Sequence, residues 1–236
     1  MLSLITPNLN NAKYLEGNIL AIKDLKIPFE HIVVDGGSTD GSLEILKKYP
    51  HVVVINQVDK TGMYGAIHQG FLASSGEMLT YINADDRVIP EGIEAIYKKI
   101  INKSCDVVYG GGYFDFVERG GREYWRARNF AKFFLRHGCI PTMQPSFIYS
   151  KKIYFEVGGL RFNLFKMCGD LDLFVRMAKL SASRFARVDV PVSIFMRRSD
   201  SFGEINGIAG REEIIANSLP TPNLLIRVLF YLSQFV

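Results

Sequence analysis

The chain has 236 residues, 48% hydrophobic and 22% charged, which is enough for one large globular domain with its own core. Its formal net charge of +4 tolerates anionic partners such as nucleotides or lipid headgroups, but does not form the dense basic stripe of a nucleic-acid binder. Cys105, Cys139 and Cys168 are widely spaced, without a Cys-x-x-Cys pair, and read as free thiols of a reducing compartment; His31, His51, His68 and His137 match no metal motif.

The opening "MLSLITPNLN" lacks the basic start of a signal peptide and is already strand-like, with a strand over 2–6. A helix over 12–24, a strand over 31–35, a helix opening near Ser42 and a strand over 51–56 follow. A helix over 63–74, a strand over 77–82 and a helix from Pro90, whose fixed φ suits a first helical turn, complete this half. Apolar strands separated by helices predict an α/β fold with a mostly parallel, Rossmann-type sheet flanked by helices. Such sheets bind ligands beyond the carboxyl ends of their strands. Three strands run out into polar clusters, "TPN", "DGGSTDG" and "NADD", so the topology gathers Asn8, Asp35, Asp40, Asp85 and Asp86 along one edge.

After about residue 105 the rhythm changes. "DVVYGGGYFDF" (106–116) reads as a strand with a glycine-softened exit, 123–126 as a hairpin or ribbon, and "RNFAKFFLRHG" (128–138) as a helix closed by Gly138. "PSFIYS" (145–150) reads as a strand, "KKIYFEVGG" (151–159) as a short helix with a glycine stop, and "GDLDLFVRMAKL" (169–180) as a strong helix. Without repeats or a linker, the chain is expected to be one domain, 1–236. Within it, a nucleotide-type half is expected to run to about 104, a mixed substrate-type half to about 210, and a C-terminal helical segment over 211–236.

Several stretches carry candidate chemistry. "VVDGGSTDGS" offers exposed amides and an acceptor side chain, or simply a strand-to-helix turn capped by Asp40; it matches neither the Gly-x-Gly-x-x-Gly nor the Gly-x-x-x-x-Gly-Lys-Ser/Thr loop. Asp85 and Asp86 repel each other in "NADD". Either they form a solvated acidic turn, or they hold a hard cation, Mg²⁺ or Mn²⁺, which takes one or two carboxylates plus phosphate and water oxygens. Asp170 and Asp172 lie two apart at a helix start and point to different sides, suited to a cleft-facing carboxylate or to a helix dipole. Arg197 and Arg198 in "MRRSDS" offer forks for phosphate oxygens, or solvated surface charge. "PNLLIRVLFYLSQFV" (222–236) is too short to span a bilayer and reads as a helix packed on the domain, or as one lying on a membrane surface.

"SLITPNLN", "VVDGGSTDGS", "DKTGMYGAIHQGFLASSGEMLTYINADD" and "GDLDLFVRMA" stand in the order and spacing of family-two glycosyltransferases with the GT-A fold. Over roughly residues 2 to 200 the chain resembles bacterial members that build surface polysaccharides. The resemblance implies an inverting transfer from a nucleotide-sugar donor, usually a UDP-sugar, to a saccharide or lipid-linked saccharide, with Mn²⁺ or Mg²⁺. It also implies a cytoplasmic setting, which the C-terminal segment would bring to the inner face of the plasma membrane. In it Thr6, Pro7 and Asn8 line the nucleotide, Asp35 accepts a hydrogen bond from the base, and Asp59 falls on the nucleotide side. The Asp-x-Asp element corresponds to Asn83-Ala84-Asp85, with Asp85 at the metal position and Asp86 beside it. Gly169-Asp170 takes the place of the Glu-Asp pair whose aspartate is the general base, with Arg176 in register, and Gln144 and Asp172 fall on the acceptor side. Four departures stand out: Asn83 for Asp, Gly169 for Glu, Met143 where His is common, and "GGLRFN" without the usual Phe-Asp-Glu ending. A sugar nucleotidyltransferase and an inactive nucleotide-sugar-binding module are the competing readings.

Overall fold

The computed structural model describes residues 1–103 and 105–235. The expected half-boundary at 104 and the final position, 236, lie outside the described residues. The first half keeps the expected alternation: β1 (Leu2–Asn8), α1 (Ala12–Lys23), β2 (Phe29–Asp35), α2 (Ser42–Lys47), β3 (Val52–Asn56), α3 (Gly62–Ala73), β4 (Met78–Tyr81), β5 (Arg87–Val88) and α4 (Pro90–Lys103). β1 pairs in parallel with β2 and β4, and β2 with β3. All seven residues of β1 are buried, as a strand covered on both faces requires.

The second half contains β6 (Val107–Phe116), β7 (Arg122–Trp125), α5 (Ala131–Arg136), a 3₁₀ turn at Gln144–Ser146, β8 (Phe147–Ser150), α6 (Lys151–Glu156), α7 (Gly169–Lys179), β9 (Phe185–Arg197), α8 (Phe202–Ile205), α9 (Gly207–Ala216) and α10 (Leu224–Leu232). β8 inserts antiparallel between β4 and β6, while β9 runs parallel to β6. Among the described residues this makes a single nine-stranded sheet, β3-β2-β1-β4-β8-β6-β9-β5, with β7 paired to β6.

Two strands have no counterpart in the sequence reading. β5 is two residues long, too short to show a period. β9 is thirteen residues long, but Asp189 and Pro191 interrupt its apolar pattern. Pro191 is tolerated because β6 and β9 slip register opposite Gly111 and Gly112. The glycines of β6 serve that close approach: a Cβ on Gly112 would meet the Met143 sulfur at 2.5 Å and the Ser193 carbonyl at 2.7 Å.

The sheet is curled, and the site depends on it. On a flat sheet, four strand spacings would put β5 roughly 19 Å from β4. Residues 82–86 could reach that far only when nearly extended, at ~3.3–3.6 Å per residue. They instead contain a turn closed by the Asp86 N–H donating to the Asn83 carbonyl at 3.0 Å. The far edge therefore bends back, bringing the end of β9 over the loop after β4.

Both faces of the sheet are packed. Phe147 and Tyr149 of β8 join Ile5, Tyr81, Phe71 of α3 and Phe174 of α7 on one face, with Phe147 stacked on Phe174 at 4.2 Å. Ile148, pointing oppositely, joins Leu2, Leu4, Val108 and the α4 residues Ile93, Ile96 and Ile100 on the other. Each fully buried side chain of this kind contributes roughly 1.5–3 kcal/mol.

Candidate active site

The in-register ladder of β1 and β2 sets Asn8 beside Asp35. Asn8 Nδ2 donates to Asp35 Oδ2 at 2.7 Å and to Ser38 Oγ at 3.1 Å. Asp35 also accepts from the Gly37 and Ser38 amides and the Ser38 hydroxyl. Burial pushes the Asp35 carboxyl up, but the Ser38, Asn8 and Gly37 donors outweigh it and hold it below the usual range. An ionised carboxylate only accepts, which fixes the Asn8 amide with its nitrogen inward. Its oxygen is buried without a partner. Asp40 is a cap, taking the Ser42 hydroxyl and N–H and the first N–H of α1, from Ala12.

The loop after β4 separates the two adjacent aspartates. Asp86 is 1% exposed: its Oδ1 accepts the Met196 N–H of β9 at 2.9 Å and its Oδ2 the Asn83 amide at 3.3 Å. Burial, and then the charge on Asp85, push its carboxyl well above the usual range. Asp85 instead pairs with Arg198, Nη2 to Oδ2 at 2.7 Å. Arg198 also reaches Asp200 at 3.1 Å, lies 4.4 Å over the Tyr14 ring, and keeps a buried Nε without a partner. Mutual repulsion is thus eased by the Arg198 guanidinium on Asp85 and by the Met196 and Asn83 N–H donors on Asp86.

At the start of α7, Asp170 Oδ1 accepts the Leu171 N–H at 2.8 Å and lies 3.1 Å from the Tyr64 hydroxyl, which is also 2.9 Å from the Met167 carbonyl. Oδ2 has no protein partner among the described residues. Burial raises the Asp170 carboxyl above its ordinary value; the Leu171 and Tyr64 donors oppose this only in part, and the charge on Glu213 adds to it. Gly169 has a steric cause: a Cβ there would come within 2.8 Å of the Tyr64 ring. The tyrosine fills the space a neighbouring glutamate would need. From α9, Glu213 accepts the amides of Lys166, Met167 and Cys168 at 2.5, 3.0 and 2.7 Å, fixing the loop that leads into Asp170.

These elements enclose one cleft of about 1040 Å³. Pro7, Asn8, Asn83, Asp85, Asp86, Gln144, Asp170, Arg197 and Arg198 all line it. Gln144 donates to the Tyr81 carbonyl at 3.0 Å, leaving its Oε1 buried and unpaired, and Arg197 pairs with Glu204 at 2.5 Å.

Four expected residues do not line the cleft. Thr6 is fully buried, its hydroxyl 3.1 Å from Asn18 Oδ1 and 3.0 Å from His31 Nε2, so it braces β1 against α1 and β2. Asp35 lies behind Asn8. Asp59 is exposed, with its carbonyl taken by the Thr61 N–H at 2.6 Å, while Lys60 and Thr61 reach the cleft. Asp172 is 1% exposed and pairs with Arg161 and, at 2.7 Å, with Arg176. Its helical offset from Asp170 turns it inward, where it ties α7 to the loop after α6 rather than facing an acceptor.

Among the described residues no three His, Cys, Asp or Glu side chains gather as a metal cluster. The donors at the β4 exit nevertheless fit a hard divalent cation: among the described residues Asp85 Oδ1 takes no hydrogen bond and Asn83 Oδ1 is buried without one. Both are oxygen donors, and a ligand's phosphates would supply the rest. Asp86 fits less well, since both its oxygens are engaged.

Tyr64 and Glu213 went unnoticed in the sequence because each reads as an ordinary helical residue. Their role depends on contacts across more than forty positions.

A model of glycosyl transferase family 2 matches residues 3–171. The glycosyltransferase GlyG of Streptococcus pneumoniae is 34% identical over 130 residues, 53% of this chain and 43% of GlyG. The putative teichuronic acid biosynthesis glycosyltransferase TuaG of Bacillus subtilis is 27% identical over 118 residues, 47% of this chain and 46% of TuaG. The chain spans less than half the length of these two relatives. Among solved structures, Staphylococcus aureus TarS 1–349 in complex with UDP aligns at a TM-score of 0.67 and 21% identity, over 91% of this chain and 65% of that one. The mannosyltransferase PcManGT of Pyrobaculum calidifontis, in complex with GDP-Man and Mn²⁺, aligns at 0.64 and 15%, over 89% and 60%. Both share the GT-A-like architecture.

Proposed function

Because the chain belongs to glycosyl transferase family 2, we propose that its cleft transfers a sugar from a nucleotide-sugar donor to a hydroxyl of a saccharide or lipid-linked saccharide in bacterial polysaccharide synthesis. One observation carries the reading: an unpaired, burial-raised carboxylate oxygen on Asp170 opens into the same cleft as the Asn83–Asp86 loop and Arg198. A base and a diphosphate-binding group thus share one cavity.

The acceptor hydroxyl gives its proton to Asp170 Oδ2. Its oxygen attacks the anomeric carbon from the face opposite the diphosphate, and the bond from that carbon to the phosphate oxygen breaks. The electron pair leaves with the nucleoside diphosphate, so the sugar's configuration inverts. A carboxylate with raised proton affinity is a better base at neutral pH, and such groups contribute ~10²–10⁴-fold. Arg198 carries a fork that can move from Asp85 to phosphate oxygens, and Arg197, Lys60 and Lys166 add positive charge to the same walls. Asp85 and Asn83 would hold Mn²⁺ or Mg²⁺, which supplies charge to the diphosphate as it departs. The orphan oxygen of Asn8 favours a base with a ring N–H, such as uracil.

The test is a panel of UDP-, GDP- and TDP-sugars with Mn²⁺ and candidate acceptors, read by nucleoside diphosphate release and by the anomeric configuration of the product. Release with inversion, fastest with a UDP-sugar, supports the reading. Retained configuration overturns the single displacement. Pyrophosphate made from a sugar phosphate and a nucleoside triphosphate points to a nucleotidyltransferase, and tight binding without turnover to an inactive module.

A further inference from the structure

The outer face of α10 has no protein partner among the described residues. One stripe of the helix packs: Ile226 is buried with Phe134 and Cys139, and the Phe230 ring meets Phe134 at 5.0 Å. The opposite stripe does not, with Leu224 78%, Leu225 65% and Tyr231 62% exposed, and Val228, Leu229 and Leu232 beside them. A second apolar element continues this surface. Phe133 of α5 is exposed and lines a shallow groove with Phe130, Leu229 and Leu232. Phe130 is 67% exposed with φ +57, a backbone conformation bulky residues rarely adopt, and its ring is held outward rather than folded into the core.

Charge decides what this surface meets. Residues 124–140 and 214–235 contain Arg126, Arg128, Lys132, Arg136 and Arg227, and no Asp or Glu. Arg126, Arg136 and Arg227 are exposed. Arg126 donates to the Gln234 carbonyl at the end of α10, and Arg128 lies 5.6 Å from the Phe230 ring, so the cations belong to the same structural unit as the apolar face. Leucines and aromatics rimmed by arginines, without carboxylates, complement a bilayer of anionic lipids: side chains enter the acyl boundary and guanidiniums stay at the headgroups.

We infer that α5 and α10 together form a docking face for an anionic membrane surface, on which α10 lies flat. No helix among the described residues is long and apolar enough to cross a membrane, so the contact is interfacial. α5 packs directly on α7, the helix whose first turn holds Asp170, so the docking face is tied to the element that carries the proposed base. The inference goes beyond the proposed transfer reaction and can stand or fall without it.

Flotation of the full chain with vesicles tests it, using phosphatidylcholine alone and an equal mixture with phosphatidylglycerol. The protein should float with the mixed vesicles, remain below the neutral ones, and be released by salt. Arg227→Glu should lower partitioning roughly 25-fold, about fivefold for each of the two units of charge changed. The double variant Leu224→Ser/Leu225→Ser should abolish flotation. Unchanged urea midpoints keep loss of fold apart from loss of contact. Failure to float with either vesicle overturns the inference. So does binding indifferent to salt and to these variants, or a dimer in sedimentation equilibrium that the Leu variants dissociate, since a second copy would then cover the face.

Discussion

Replacing Tyr64 by Phe keeps the ring against Gly169 and removes one oxygen, the one 3.1 Å from Asp170 Oδ1 and 2.9 Å from the Met167 carbonyl. Burial and the nearby Asp170 charge hold the phenol well above its ordinary pKa, so it remains a donor throughout the working pH range. The hydroxyl favours ionised Asp170 and opposes the burial that raises it. A hydrogen bond to a charged group is worth roughly 1.5–3 kcal/mol, part of which the protonated acid retains. A differential loss of about 1.4 kcal/mol corresponds to a tenfold change in the protonation equilibrium. If Asp170 is the base, as proposed, it works only when ionised, so kcat/KM falls as pH drops through its pKa. Without Tyr64 that pKa rises, the acid limb moves to higher pH, and rates on that limb fall roughly tenfold. On the alkaline plateau the rate should change only a few-fold. A pH profile of kcat/KM for both proteins is the assay. An acid limb that stays in place, or moves to lower pH, would show that Asp170 is not the titrating base or that the hydroxyl serves Met167 alone.

Asp170→Asn should lower transfer by ~10²–10⁴-fold while leaving nucleotide affinity nearly intact by calorimetry. Asp85→Ala should weaken Mn²⁺-dependent binding of the nucleotide diphosphate by tenfold or more, and unchanged titration curves would count against the metal assignment. Asp172→Ala leaves Arg161 and Arg176 without their buried partner and should cost about 3 kcal/mol in urea unfolding. A loss of acceptor affinity at unchanged stability would restore the acceptor role. Burial, then the charge on His51, depress His31 to about 3 from 6.5. The unfolded chain therefore takes up a proton that the folded chain refuses, and stability falls as pH drops from about 6.5 toward 3. Between pH 7 and 5 this one group should cost about 2 kcal/mol, absent in His31→Gln.

The first half was legible in the sequence because its strands are mostly apolar and end abruptly in polar clusters. β1, β2 and β4 follow that rule, and Asn8, Asp85 and Asp86 do reach one cleft. What the pattern could not convey was direction. Two neighbouring aspartates look alike in a string, yet only a curled sheet turns Asp86 inward onto Met196 and leaves Asp85 facing Arg198. Asp35 and Thr6 have polar side chains at the right strand ends but are consumed by Ser38, Asn18 and His31. The second half was read less completely because β9 carries a proline and an aspartate mid-strand, which the slipped pairing with β6 accommodates. Gly169 looked like a missing glutamate until the Tyr64 ring was seen in its place.

β8 is an antiparallel seam of backbone hydrogen bonds between β4, whose exit loop carries Asp85, and β6 of the other half. Halves stitched into one sheet cannot open and shut as jaws on a hinge. In the proposed transfer, exchange of spent nucleotide for fresh donor would therefore fall to the connecting segments around Lys60, Lys166 and Arg198, which line the cleft, rather than to the frame. On that reading, substitutions in those segments would retune partner choice without disturbing the distance across which the sugar would move.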